Sequence, residues 1–350
     1  MQKKLIVAAL AGLAAAPAFA QSNVTVYGVF DVGYTSQETR NTFTAGTNAV
    51  SAGPKIETTN TGLDGTLSGG RIGFRGNEDL GNGLKANFVL EYGTNWSENT
   101  GIPSTRLGWA GLSGGFGEVR VGRIQSLVKM VLDAHNPNEN STNFAPGNLD
   151  AHLGLTDVRV SNAITYLSPS FSGFDVRVQY ANTDTDNDAT INSAKDEYVN
   201  FGVNYANGPL AIAYARNQQT TAAEGTAGEP ETTAQVLAAK YNLGVAVPFY
   251  SRTERDVKNA AGTKTVDSSV DTIGVTVPMG NLKLVAQYAD GKSKAVNGGV
   301  KVDHKAMQLL GVYSLSKRTN VYAIYGDTES KNTTTKFEQD GFALGLRHSF

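Results

Sequence analysis

The chain has 350 residues, no cysteine, and a formal net charge of −2 from 30 Lys and Arg against 32 Asp and Glu. The lack of cysteine excludes a disulfide-stapled fold, and so balanced a charge offers no electrostatic footprint for nucleic acid. Beyond the N-terminus no run approaches eighteen uninterrupted apolar residues, so no transmembrane helix is predicted there.

Residues 1–20 read as a secretory signal, with Lys3 and Lys4 before an apolar stretch and Ala18-Phe19-Ala20 as the cleavage site. Its removal leaves 21–350 as one domain, and losing two lysines takes the net charge from −2 to −4. Alternation then begins at 24–34 and returns at 71–75, where Ile72 and Phe74 oppose Arg71 and Arg75. At 84–92, Leu84, Ala86, Phe88, Leu90 and Tyr92 share one face, with Lys85, Asn87 and Glu91 on the other. Strands follow at 106–110, where Leu107 and Trp109 are expected outward, opposite Arg106, and at 118–123. Next comes 124–156, with no sustained period and with Pro137, Pro146, Gly147 and Gly154. An irregular stretch of that length inside a compact domain is usually functional or disordered.

The rhythm resumes at 158–166, 174–180, 199–205 and 210–214, then at 233–242, 245–254, 269–277, 281–289, 304–314, 319–327 and 340–350. These make sixteen strands. Connections alternate between short turns, such as 77–83 and 113–117, and long polar loops near 36–69, 94–103, 182–196, 216–232, 255–268, 290–303 and 328–339. Such a layout predicts an all-β, closed 16-stranded antiparallel transmembrane β-barrel, because an open sheet edge would leave its amides unsatisfied in hydrocarbon. Tyr166, Tyr205, Tyr241 and Tyr313 precede short turns, whereas Tyr92, Tyr180, Tyr214 and Tyr288 precede long loops, which predicts two aromatic belts. The last strand alternates to Phe350, in phase with Phe342, Leu344 and Leu346.

The motif Arg71-Ile72-Gly73-Phe74-Arg75-Gly76-Asn77-Glu78-Asp79-Leu80-Gly81-Asn82-Gly83-Leu84-Lys85-Ala86 joins three other carriers of a family likeness: Phe116-Gly117-Glu118-Val119-Arg120-Val121-Gly122-Arg123, Asn162-Ala163-Ile164-Thr165-Tyr166, and the Gly345–Phe350 end. With 24–31, their order and spacing resemble the trimeric general porins of Gram-negative bacteria, in the β-proteobacterial form. The resemblance implies an outer-membrane homotrimer in contact with lipid and lipopolysaccharide, with the third long loop folded into the lumen. It also implies that Phe350 is an assembly signal for the barrel-assembly machinery, and it assigns an arginine ladder on the wall to Arg71, Arg106 and Arg159.

Parity places those arginines inward independently, since Ile72, Leu107, Val158 and Val160 beside them are expected outward. Arg75 and Arg120 extend the ladder, and Glu91 is a wall acid of the same parity. Asp133, Glu139 and Asp150 are the candidate loop acids that would face the arginines across a constriction formed by 124–156. Arginine stays charged and presents several fixed donors, so a ring of it in a narrow site biases a pore toward anions. The predicted activity is passive diffusion of small hydrophilic solutes and ions. A substrate-selective channel, with Phe144 on a binding track, and an adhesin or receptor barrel acting through its outer loops are the alternatives. The four histidines, His135, His152, His304 and His348, form no metal-spaced pair and no nucleophile motif accompanies them. Neither a catalytic residue nor a cofactor nor a metal is therefore predicted.

Overall fold

A computed structural model describes residues 23–45, 49–52, 56–95, 104–136, 159–185, 194–223, 228–295 and 299–350. The predicted signal, and all of 137–156 in the long insertion, lie outside them. In chain order the strands are β1 (Asn23–Ala45), β2 (Ala49–Ala52), β3 (Ile56–Asp64), β4 (Arg71–Gly81), β5 (Leu84–Gly93), β6 (Ser104–Gly114), β7 (Gly117–Gln125), β8 (Arg159–Leu167) and β9 (Phe174–Thr185). They continue as β10 (Ala194–Asn207), β11 (Leu210–Ala223), β12 (Glu231–Tyr241), β13 (Val247–Lys258), β14 (Lys264–Met279), β15 (Leu282–Ala295), β16 (Lys301–Ser314), β17 (Thr319–Lys331) and β18 (Thr335–Ser349). A helix, α1 (Leu127–His135), follows β7.

Every pairing is antiparallel. β2, β3 and β4 each pair with a successive stretch of β1, so they form one interrupted wall strand and the wall counts sixteen. β1 and β18 close the ring, from Val29↔Ser349 to Phe43↔Thr335. Closure leaves no edge to be satisfied in hydrocarbon.

The pleat then sorts side chains between lipid and lumen. On β9, Phe174 is 52% exposed while Gln179 is 1% exposed, the reverse of a soluble sheet. Large apolar groups stand outside because the solvent there is lipid. At the closing seam Phe350 and Gly28 exchange two backbone hydrogen bonds of 3.2 Å. The Phe350 ring lies over Gly28, where a Cβ would collide with it.

Several strands run further than hydropathy indicates. β11 continues past Tyr214 to Ala223 and β15 past Tyr288 to Ala295. Outward positions beyond those tyrosines become polar, as at Arg216 and Asp290, so the apolar alternation stops while the hydrogen-bond ladder goes on. Tyr180, Tyr214 and Tyr288 thus mark the upper edge of the apolar belt in mid-strand, not strand ends. The same cause overturns the long loop expected at 36–69. There β1 runs on to Ala45 and β2 and β3 return, leaving 65–70 as the link to β4. The loops expected at 255–268 and 328–339 shrink likewise to 259–263 and 332–334.

Candidate functional site

The described start of the insertion turns inward and becomes α1. Ser126 caps it, its side chain accepting from the Lys129 amide at 3.2 Å. Nine residues make a marginal helix in isolation, so the fold must hold it. Leu127, Val128, Val131 and Leu132 are buried against Ala213, Ala215, Val236 and Ala238, which face inward on β11 and β12. Burying each of these four side chains contributes about 1.5–3 kcal/mol. The alanines leave the depth that the helix fills.

Polar stitches hold both ends. The Gln179 side-chain amide donates to the Gln125 carbonyl at 3.0 Å, and Asn200 donates to Gln179 at 2.7 Å. At the far end the Lys240 ammonium donates to the Ala134 carbonyl at 2.5 Å. Sequence reasoning missed Gln179, Asn200 and Lys240. The available signal was neutral or basic residues and alanines at inward positions of β9–β12, where charge-rich lumen lining was the general expectation. His135 is buried at the helix end, its Nδ1 against the Val131 carbonyl at 3.0 Å. Desolvation lowers its pKa below the ordinary histidine value of 6.5, and Lys240 and Arg177 act in the same direction.

The arginines converge on the wall of β4–β8. The Arg106 guanidinium donates from Nε to Glu91 at 2.7 Å, and Tyr27 donates to the other Glu91 oxygen at 3.1 Å. Arg71 and Arg159 lie in electrostatic range of both Arg106 and Glu91. The buried Nε atoms of Arg71 and Arg159 find no hydrogen-bond acceptor among the described residues. Three guanidiniums therefore share one carboxylate that is already engaged. Arg75 lies over the Tyr27 ring at 5.1 Å. Arg120 pairs with Glu118 at 2.7 Å and lies 4.4 Å over Trp109.

Arg106 enters this cluster for a different reason than parity, and Arg159, although next to an inward Val160, reaches it from the start of β8. Register slips at Glu91/Tyr92, so that Glu91 faces Leu107 and Tyr92 faces Thr105, leaving Arg106 as the extra residue. Past the bulge, Leu107 and Trp109 share the inner face with Arg106, which corrects their expected outward placement. A second irregularity, between Gly122 and Ile124, buries Val160 with Ile124, Ala163 and Ala181 on the inner side. Val160 was expected outward. Val158 lies outside the described residues.

Of the loop acids, Asp133 is held by Lys129 and accepts from Gln125 at 2.9 Å, so its charge is matched within the insertion. Glu139 and Asp150, as well as Phe144 and His152, lie outside the described residues. His304 is buried on the inner wall between Ser293 and Ser330, and His348 contacts Thr319.

Comparison with known proteins agrees with this architecture. The family model for Gram-negative porins matches residues 7–333. Across the full length of both chains, the sequence is 33% identical to outer membrane porin protein 32 of Delftia acidovorans. It is 30% identical, again over both full lengths, to the major outer membrane protein P.IB of Neisseria lactamica. An anion-selective porin from Comamonas acidovorans superposes with a TM-score of 0.70 at 27% identity, covering 94% of this chain and 100% of that one.

Proposed function

We propose, for a chain that belongs to the Gram-negative porin family and forms an outer-membrane channel for passive diffusion, that Arg71, Arg106 and Arg159 are its filter and make it anion-preferring. The observation that carries this reading is that three guanidiniums, of Arg71, Arg106 and Arg159, gather around the single carboxylate of Glu91. A monovalent anion about 4 Å from one arginine gains roughly 4 kcal/mol at an effective dielectric constant near 20, but only about 1 kcal/mol in bulk water. A hydrated lumen lies between those limits, so three arginines favour anions while still letting them leave. Arg75 and Arg120 extend the positive wall, with Arg120 partly offset by Glu118. Glu91 tempers the cluster. Asp133, matched by Lys129, contributes little transverse field, while Glu139 and Asp150 remain proposed acids of the opposing rim.

The working unit in this proposal is a homotrimer seated among lipid and lipopolysaccharide, assembled through recognition of Phe350 and acting without catalysis or cofactor. Single-channel recording in a planar bilayer with a KCl gradient tests it. Closure in three equal steps with a reversal potential favouring chloride is expected. A cation-favouring potential would keep the pore and overturn the arginine filter.

A further inference from the structure

The link between β3 and β4 contains more residues than the wall needs. Asp64 pairs with Val32 and Arg71 with Val29, so a regular strand would use two residues between them, yet six are present. The surplus folds into the barrel. Gly65 takes a left-handed conformation (φ 75°) to begin the excursion, and its amide donates to the Asp31 carbonyl at 2.9 Å. The Asp31 side chain, fully buried and inward on β1, then gathers three donors: the Leu67 amide at 3.2 Å, the Ser68 amide at 2.7 Å and the Tyr322 hydroxyl at 2.5 Å. Leu67 is fully buried in a cluster with Leu310, Val312, Tyr322 and Ile324, which face inward on β16 and β17. An apolar inner wall is unexpected in a water-filled lumen, and Leu67 gives it a partner.

The wall is cut to fit this turn. Gly33 and Gly345 face each other across β1 and β18. A Cβ on Gly33 would meet Thr66 Oγ1 at 3.0 Å and Tyr322 Oη at 3.1 Å, and one on Gly345 would overlap the Tyr322 phenol. These two glycines open the slot through which Tyr322 reaches Asp31.

We propose that residues 65–70, anchored by Asp31, Leu67 and Tyr322, are a second constriction element that fills the lumen beside β1 and β15–β18. Among the described residues, α1 covers the inner wall at β9–β13, with Met130 packed on the cluster of Ile124, Val160, Ala163 and Ala181, and the inner turn covers the wall at β15–β18, so Arg71 and Arg106 on β4 and β6 lie in the sector between the two inserts. Solutes are thereby confined against the arginines, and the turn ends directly on Arg71. Size selection and charge selection then reside in different residues. The inference rests on the chain being a pore but not on which ion that pore prefers.

The test replaces residues 65–70 by two residues, with Leu67→Ala and Tyr322→Phe as milder variants, and reads single-channel conductance and the swelling rate of liposomes in sugars of increasing size. The replacement is expected to raise conductance about 1.3- to 2-fold and to admit larger sugars, with chloride preference retained. Leu67→Ala and Tyr322→Phe are expected to add open-channel noise with a smaller rise, and they decide the matter if the replacement does not assemble. Conductance, noise and sugar cut-off equal to wild type in every variant that assembles would overturn the proposal. So would lost chloride preference at unchanged conductance, because the turn would then merely support Arg71. A wild-type protein that opens no channel would instead defeat the pore reading itself.

Discussion

The inner walls at β11–β12 and at β4–β8 follow the same alternation but carry opposite chemistry. On β11 and β12 the inward residues under α1 are Ala213, Ala215, Val236 and Ala238. On β4–β7 they include Arg71, Arg106 and Arg120, with Arg159 beside them at the start of β8. The first wall faces a helix that excludes water, so small apolar residues fit; the second gathers guanidiniums around Glu91, with the Nε atoms of Arg71 and Arg159 left without an acceptor among the described residues. Inward parity therefore says only that a residue leaves the lipid. What lies against it decides whether charge is tolerated.

The largest expected effect comes from removing the difference on the arginine side. Replacing Arg71, Arg106 and Arg159 together by Ala should cut the chloride-to-potassium permeability ratio by at least about threefold, read from the reversal potential, because one engaged carboxylate would remain without its opposing cations. An unchanged ratio would move the filter elsewhere. Next is the alanine side. Ala213→Glu places a carboxylate under α1, where a buried unpaired charge is strongly destabilising. The helix should lift from the wall, so conductance should become noisy and proteolysis of the insertion should accelerate, while the barrel persists. A quiet channel of normal size would show that α1 is held by its polar ends alone.

A sharper, smaller effect is expected from Glu91→Gln. It frees the Arg106 guanidinium from its 2.7 Å partner. Chloride preference should rise by about twofold with little change in conductance. A fall would mean that Glu91 positions Arg106 rather than tempering it. The smallest effect is acid lability of the helix seat. Because His135 has a pKa below its unfolded value of 6.5, the unfolded state binds more protons as pH falls through that value. Stability of the seat is therefore complete above about pH 6.5 and declines as pH drops toward the lowered folded pKa, by at most about 1.4 kcal/mol per pH unit. Channel noise rising between pH 7 and pH 5 in wild type, and not in His135→Phe, would show it.

Much of the fold is legible in local pattern. Period-2 alternation at 84–92 and 174–180, short turns set against long connections, and Phe350 in phase with Phe342 suffice for a closed barrel, since lipid permits no open edge. The inward placement of Arg71 and Arg75 follows from Ile72 and Phe74 beside them. Pattern fails wherever register slips. One bulge carries Leu107 and Trp109 inward along with Arg106, and another buries Val160, because an extra residue in one strand resets the parity of all that follows. Pattern also stops short at Tyr214 and Tyr288, where headgroups replace hydrocarbon and outward residues turn polar while pairing continues.

What the sequence by itself determined is therefore the wall: its strand number, its closure, its faces wherever pairing is regular, and the residue types offered to lipid and water. Only the tertiary structure decided which stretches of that wall the inserts cover. The seat of α1 on the alanines of β11 and β12, and the hold of Asp31 on Leu67, Ser68 and Tyr322, join residues 36 to 291 positions apart. A local sequence period reports the face on which a side chain emerges. It carries no term for the partner that meets it across the lumen.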